Sequence, residues 1–147
     1  MPTSVSNLVD QNGLVVGHWK VGICDCCTDV VPNACMSCIC PWVSLAQIVH
    51  RIGLYSYFSA LVVIGVVYLA PAIGSLAYVA TGLIIWVIRN NVRRVFQIRG
   101  NACEDCLYAC CCSCCTIAQM ATHTDAYIKG AFCSFSPKNT LPGYVQR

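Results

Sequence analysis

The spacing of charged residues divides the chain into an apolar middle and two flanking segments. From Ile52 to Ile88 no residue carries a formal charge, and Arg51 and Arg89 bound this stretch. A continuous helix of that length would extend about 55 Å, whereas the hydrocarbon core of a bilayer is about 30 Å thick. The pattern therefore predicts two shorter helices joined by a turn.

The turn between these helices is predicted at Ala70–Ser75, which contains a proline and a glycine. Proline is favoured in the first turn of a helix, so Pro71 predicts the start of the second one. The spans are expected at Gly53–Ala70 and Ala72–Ile88. The uncharged segment Pro41–His50 is expected to extend the first span as an interfacial helix. A buried hairpin in the core of a soluble protein is the alternative.

Basic residues flank both predicted spans and are absent from the turn. Arg51 precedes the first span, and four arginines follow the second: Arg89, Arg93, Arg94 and Arg99. The positive-inside rule then places both ends in the cytoplasm. The first eleven residues contain Asp10 and no apolar run, so no signal peptide is expected there.

The composition argues against a soluble enzyme. Only 10% of the residues are charged, against about 25% in an average globular protein, and 57% are hydrophobic. The formal net charge of +3 is too small to indicate nucleic-acid binding. No hydrolase motif or phosphate-binding glycine loop is present, so an enzyme is not expected.

Fourteen cysteines occur in the chain, and most fall into two blocks on either side of the apolar middle. The segments Cys38–Gln47 and Cys110–Gln119 match at an offset of 72 residues, which indicates two similar helices that each follow cysteines. The first block is Cys24, Cys26, Cys27, Cys35, Cys38 and Cys40, and the second is Cys103, Cys106, Cys110, Cys111, Cys112, Cys114 and Cys115.

Pairs of cysteines separated by two residues recur in both blocks. This spacing lets two thiolates bind one soft cation such as zinc, which is either structural or transported. Disulfide bonds, buried thiols and S-palmitoylation of cysteines near the membrane remain open as alternatives. The pairs are Cys24/Cys27, Cys35/Cys38, Cys103/Cys106, Cys111/Cys114 and Cys112/Cys115.

Carboxylates beside the cysteine blocks, and two polar residues beside the first span, are the candidates for an ion pathway. Gln47 and His50 lie three residues apart, on one face of a helix that precedes the span. An amide oxygen and an imidazole there would suit a partly dehydrated cation. Capping, charge compensation and hydrogen bonding between helices are the structural alternatives. The candidate carboxylates are Asp25, Asp29, Glu104 and Asp105.

Several motifs together resemble the placenta-specific gene 8 family, which includes onzin, cornifelin, cell number regulators and plant cadmium resistance proteins. The similarity extends from about Trp19 to His123. The motifs are Gly17–Cys27, Cys35–Gln47, Arg89-x-x-x-Arg93, Ile98–Asn101, Asp105-Cys106 and Cys112-x-x-Cys115-Thr116-Ile117-Ala118-Gln119.

The resemblance implies a Cys-rich plasma-membrane protein that self-associates. Some members of the family export or tolerate zinc and cadmium, some affect calcium influx, and others are linked to cell number. One motif departs from the family, because Cys40-Pro41-Trp42 stands where metal-resistance members have cysteine-proline-cysteine. The loss of the second thiol argues against metal transport through that motif, although Cys38 and Cys40 still flank Ile39.

Taken together, we expect an all-α membrane protein, a transmembrane hairpin with Cys-rich cytoplasmic caps and short amphipathic helices. The expected domains are a flexible N-terminus (1–16), one family domain (17–123) with the hairpin at about 53–88, and a tail (124–147). We expect a homo-oligomer larger than a dimer, of about five copies, that conducts or controls divalent cations, with membrane lipid as a further partner. The alternative is a non-transporting scaffold or regulator of cell number.

Overall fold

The computed structural model describes residues 9–25, 29–70, 74–131 and 134–144 of the chain. Within these ranges the backbone forms six α-helices and no β-strand, and a π-helical segment at Val30–Ala34 precedes the first helix. This confirms the all-α class. The helices are α1 (Cys35–Ile39), α2 (Pro41–Arg51), α3 (Tyr57–Leu69), α4 (Ser75–Val95), α5 (Ala102–Cys111) and α6 (Ser113–Thr124).

Helix α2 lies at the centre of the hydrophobic core. Pro41 occupies its first turn, where the missing N–H would have no helical partner. Leu45 and Ile48 are fully buried, and they share one core with Ile85 of α4 and Ile117 of α6. The segment expected as an interfacial extension of the first span is therefore a separate, buried helix.

Helices α2 and α6 are the two copies of the internal repeat. Cys40 precedes α2 with φ −129° and ψ 59°, and Cys112 precedes α6 with φ −131° and ψ 51°. The two positions are 72 residues apart, so the same backbone geometry starts both helices. The helices also pack against each other, and the repeat seen in the sequence is therefore a structural repeat.

The two apolar helices differ in length. Helix α4 has 21 residues and is about 31 Å long, and it is the one helix in the described ranges that is long and apolar enough to cross a membrane. Helix α3 has 13 residues and is about 20 Å long. It starts late because Gly53 adopts a left-handed φ of +73° after α2, and the Ser56 hydroxyl then accepts from the Ser59 N–H as a cap.

The predicted two-span hairpin is only partly reproduced by these elements. The expected turn residue Pro71 lies outside the described residues, and α4 begins at Ser75, after Gly74 with a positive φ of +48°. Because α3 is too short to span a bilayer by length alone, the hairpin stays a prediction, as do the proposed domain boundaries.

An apolar surface covers the outer sides of α3 and α4. A monomeric soluble protein rarely exposes such a large continuous apolar area, which is typical of a membrane or protein interface. The residues more than half exposed on these helices are Phe58, Val62, Val63, Val66, Leu69, Leu76, Tyr78, Val79 and Leu83.

Candidate functional site

A buried group of charged and polar side chains joins α4, α5 and α6, and its centre is Asp105. The Asp105 Oδ1 accepts a hydrogen bond from Arg89 Nε at 2.8 Å, and its Oδ2 accepts one from Arg93 Nη1. Arg89 Nη1 also donates to Gln119 Oε1 at 2.6 Å. We call Arg89, Arg93, Asp105 and Gln119 the Asp105 cluster.

Aromatic rings and the N-terminal segment cover this cluster. The guanidinium carbon of Arg89 lies 4.3 Å from the ring centre of Trp19 and 5.5 Å from that of Tyr108. Both distances allow a cation–π attraction, which is stronger where water is excluded. Gln119 Nε2 donates to the Val21 carbonyl at 2.8 Å. The cluster therefore fastens residues 19–21 to three helices.

Arg89 and Asp105 form a structural ion pair in which further hydrogen bonds, from Arg89 to Gln119 and from Arg93 to Asp105, satisfy both charged groups. The side chains of Arg89 and Asp105 are 3% and 5% exposed, so both charges have lost most of their hydration. Such a pair is tolerated only where hydrogen bonds saturate both groups, and removing one partner leaves a buried charge alone. Asp105, predicted as an ion-pathway residue, is engaged here by two arginines.

The spacing of two arginines in the sequence is a signal for this cluster. Arg89 and Arg93 lie four residues apart and hence on one face of a helix, directly after an apolar run. The sequence prediction uses them only as the positive flank of a span. Their pairing with Asp105 was missed because the chain turns back between α4 and α5, which helical spacing does not reveal.

The thiols of the second cysteine block form an exposed stripe along α5. Cys103, Cys106 and Cys110 follow one another at spacings of three and four residues, and all three are exposed. Desolvation and the neighbouring Cys106 thiol raise the pKa of Cys110. A Cβ on Gly82 would lie 3.4 Å from the Cys110 sulfur, so this thiol packs against the backbone of α4.

The other thiols lie at helix junctions and in the N-terminal half. Cys111 and Cys112 are exposed between α5 and α6, whereas Cys114 and Cys115 are partly buried in the first turn of α6. In the first block, Cys24 and Cys38 are exposed, and Cys35 and Cys40 are partly buried. Cys26 and Cys27 lie outside the described residues.

The described part of the chain contains no group of three or more His, Cys, Asp or Glu side chains placed to hold a metal ion. The α5 stripe brings Cys106 and Cys110 together as a pair. The predicted zinc coordination by the cysteine blocks stays a prediction.

The remaining acidic candidates make local hydrogen bonds. Asp25 Oδ2 accepts from the Gly22 N–H at 2.8 Å, and Asp29 accepts from the Tyr127 hydroxyl. Glu104 is exposed on α5 and accepts from the Tyr108 hydroxyl at 3.0 Å. Of these carboxylates, only Glu104 and Asp105 are adjacent in the sequence. Glu104 is exposed, whereas Asp105 is buried. Their predicted role in receiving a cation stays a prediction.

Gln47 and His50 occupy the side of α2 that faces the C-terminal segment. Gln47 is 2% exposed, and its Nε2 donates to the carbonyls of Ser134 at 2.7 Å and Ser136 at 3.2 Å. His50 is partly buried, and its ring meets that of Tyr57 edge-on at 6.4 Å. Gln47 is thus engaged by hydrogen bonds and His50 by a ring contact. The predicted role of the two residues in an ion pathway stays a prediction.

His123 is buried between aromatic rings beside the Asp105 cluster. Its ring centre lies 4.7 Å from that of Phe96 and 5.2 Å from that of Trp19, in both cases edge-on. Its Nδ1 accepts from the Lys20 N–H at 3.2 Å. Burial, helped by the positive charge of Lys20, lowers the pKa of His123 to about 4, so the imidazole is neutral at pH 7.

Comparison with known proteins identifies the segment that contains this architecture. The model of the PLAC8 family matches residues 19–123, a range that includes Trp19, the Asp105 cluster and both cysteine blocks. The chain is similar to two Arabidopsis thaliana proteins. Protein PLANT CADMIUM RESISTANCE 2 is 29% identical over 106 residues, covering 70% of this chain and 64% of that protein.

Protein PLANT CADMIUM RESISTANCE 1 is 27% identical over 105 residues, with the same shares of the two chains covered. The aligned region therefore spans somewhat less than two thirds of each relative's length. No solved structure matches the chain.

Proposed function

The chain belongs to the PLAC8 family, and on that basis we propose that it is a homo-oligomeric membrane protein that conducts or controls divalent metal cations across the plasma membrane. The observation that carries the metal-handling role is the similarity to two proteins named for cadmium resistance. The family match from residue 19 to residue 123 contains both cysteine blocks, which supports the proposal because thiolates prefer soft cations.

We place α3 and α4 together in the bilayer. The length of α4 and the apolar outer surface of both helices support this placement. Helix α3 is about 10 Å shorter than the hydrocarbon core, a mismatch that local thinning of the bilayer or association with neighbouring helices accommodates. With both helices embedded, the two termini lie on the cytoplasmic side.

We assign cation binding within the pathway to the α5 stripe, which runs alongside α4. Cys103, Cys106 and Cys110 are exposed, and Cys110 lies against Gly82 in the proposed membrane helix. The Glu104 carboxylate is on the same helix, where it is exposed and hydrogen-bonded to Tyr108, and it adds negative charge to α5. Binding of zinc or cadmium would deprotonate the thiols, so capture weakens as pH falls, and the raised pKa of Cys110 moves that weakening to higher pH.

Several copies are needed to complete a pathway in this proposal. Two helices from one chain do not enclose a polar path, whereas a closed ring of identical subunits does. The apolar surface on α3 and α4 is available for contacts between copies as well as for lipid. The described residues contain no nucleotide-binding loop, and we therefore propose movement of the cation down its gradient.

Cation flux into liposomes tests the proposal. The purified full chain is reconstituted at equal density as wild type and as the triple variant Cys103→Ser, Cys106→Ser, Cys110→Ser, with a zinc-sensitive dye trapped inside. Leu107→Ser is the matched control, since Leu107 is also exposed on α5 and carries no thiol. Uptake of zinc and cadmium is measured against protein-free liposomes.

The proposal predicts uptake by the wild type and the Leu107→Ser control, and uptake reduced about tenfold or more in the triple variant because three soft ligands are lost. Uptake by the wild type equal to that of protein-free liposomes would contradict transport and favour the scaffold alternative. Equal uptake by the wild type and the triple variant would remove the α5 stripe from the pathway.

A further inference from the structure

A concave basic surface lies at the C-terminal end of α4. It has a volume of about 430 Å³ and is lined by the last turn of α4, the turn that follows and the first residue of α5. Three arginines line it, namely Arg93, Arg94 and Arg99, and none of the described residues that line it is acidic. We call this concavity the arginine pocket.

The turn after α4 brings the arginines together. Gln97 adopts a left-handed φ of +53°, and the Ile98 N–H donates to the Arg93 carbonyl at 2.9 Å, which closes the helix and reverses the chain. Arg99 consequently lines the same pocket as Arg94. A Cβ on Gly100 would lie 3.0 Å from the guanidinium carbon of Arg93, so glycine permits this guanidinium to pack against the backbone.

Two of the three positive charges are uncompensated. Arg93 is paired with Asp105, which lies behind the pocket. Arg94 and Arg99 are exposed, and neither forms an ion pair with any residue that the structure describes. Glu104 borders the neighbouring concavity that Arg99 also lines, and its carboxylate is hydrogen-bonded to Tyr108. The pocket therefore presents about two net positive charges to a ligand.

The position of the pocket along α4 indicates which anion it meets. Arg93 and Arg94 are in the last turn of a helix about 31 Å long, so their guanidinium groups would lie at the level of the phospholipid phosphates if α4 crosses the bilayer. Guanidinium groups bind phosphate through paired N–H donors, and basic pockets beside membrane helices bind anionic headgroups.

We propose that the arginine pocket binds the phosphate group of an anionic membrane phospholipid through Arg94 and Arg99. This proposal rests on the membrane placement of α4 in the proposed function and adds a lipid-binding site to it. The guanidinium groups of Arg94 and Arg99 would each donate hydrogen bonds to the headgroup phosphate, while Arg93 remains paired with Asp105. The lipid would then fix the depth of α4 and the turn that leads to the Asp105 cluster.

Binding of short-chain lipids in a neutral detergent tests this site without a bilayer or a metal. The purified full chain is titrated with dioctanoyl phosphatidylinositol phosphate, with dioctanoyl phosphatidylcholine and with inorganic phosphate. The test variant is Arg94→Gln with Arg99→Gln. The control is Lys20→Gln with Lys129→Gln, which removes the same charge from two exposed residues outside the pocket.

The proposal predicts saturable binding of the phosphatidylinositol phosphate that weakens about 30-fold in the arginine variant, roughly fivefold for each basic residue. The lysine variant should retain affinity within about twofold, and phosphatidylcholine should bind much more weakly. Equal losses in the two variants would overturn the pocket as a specific site. Inorganic phosphate binding as tightly as the lipid would overturn the lipid assignment.

A failure of this proposal is distinguishable from a failure of the proposed function. Cation uptake is measured in liposomes of phosphatidylcholine, where the arginine variant should behave as the wild type. Lipid binding without any uptake would contradict the transport function and leave the arginine pocket standing. Retained thermal stability of the arginine variant in detergent shows that it is folded, because both side chains are exposed and make no ion pair among the described residues.

Discussion

Arg89 Nε on α4 donates a hydrogen bond to Asp105 Oδ1 on α5 at 2.8 Å, and both side chains are almost completely buried. This contact links the end of the membrane-length helix to the helix that carries the exposed thiols. Gln119 on α6 and the Trp19 ring complete the environment of Arg89. Residues far apart in the chain therefore fix how the cysteine blocks are held beside α4.

Asp105→Asn should destabilise the protein by about 3–5 kcal/mol, because two guanidinium groups would lose the charge that compensates them. Thermal and denaturant unfolding in detergent would measure the change. Glu104→Gln is the matched control, since Glu104 is the exposed neighbour and its substitution keeps an acceptor for Tyr108. We expect the control to stay within about 0.5 kcal/mol of the wild type. Equal stability of the two variants would contradict the buried ion pair.

Gln47→Leu should detach the C-terminal segment from α2 and cost about 1–3 kcal/mol, because the carbonyls of Ser134 and Ser136 lose their donor. Limited proteolysis should then cut near residues 134–136 faster than in the wild type. Asn139→Ala serves as the control, since Asn139 is exposed in the same segment.

The same variant separates the two roles considered for Gln47. A structural role predicts lower stability and faster cleavage with unchanged uptake per folded oligomer. Reduced cation uptake with wild-type stability and cleavage would instead place Gln47 in the ion pathway.

His123 should make stability depend on pH between about 6.5 and 4, because its pKa falls from 6.5 in the unfolded chain to about 4 in the folded protein. Above pH 6.5 the imidazole is neutral in the folded and the unfolded chain, so it does not change the free energy of unfolding. Below it the unfolded chain takes up the proton first, so folding weakens by up to about 3 kcal/mol as pH falls to 4.

Denaturant unfolding at several pH values would measure this dependence in the wild type and in His123→Gln. The substitution should flatten the profile over that interval, whereas the exposed control Asn139→Ala, which removes no titratable group, should retain the wild-type slope. A His123→Gln profile parallel to that of the wild type would contradict a buried neutral imidazole.

Local patterns predicted some elements well and long-range pairings poorly. Pro41 and the uncharged residues after it predicted helix α2, and the repeat at Cys40 and Cys112 predicted that α6 would start in the same way. These features depend on neighbouring residues along the chain. The family also followed from motifs that are readable without a structure.

The partners of Asp105 and Gln47 were not predictable in the same way. Asp105 meets arginines 12 and 16 positions away across a turn, and Gln47 meets carbonyls 87 and 89 positions away. Hydropathy also overestimated the first span, because Gly53 and Ser56 interrupt the apolar run through backbone geometry and capping. Neither residue carries a charge that would mark the boundary.

In the proposed function, several copies of this chain together move divalent cations across a membrane. Fluorescently labelled protein in single liposomes measures this dependence on copy number, since the copies are counted by stepwise photobleaching and zinc uptake is recorded in the same liposomes. We expect no uptake above the protein-free level in liposomes with one copy, and uptake once the copy number of a closed ring, about five, is reached. Uptake by single copies, or no uptake at any copy number, would contradict it.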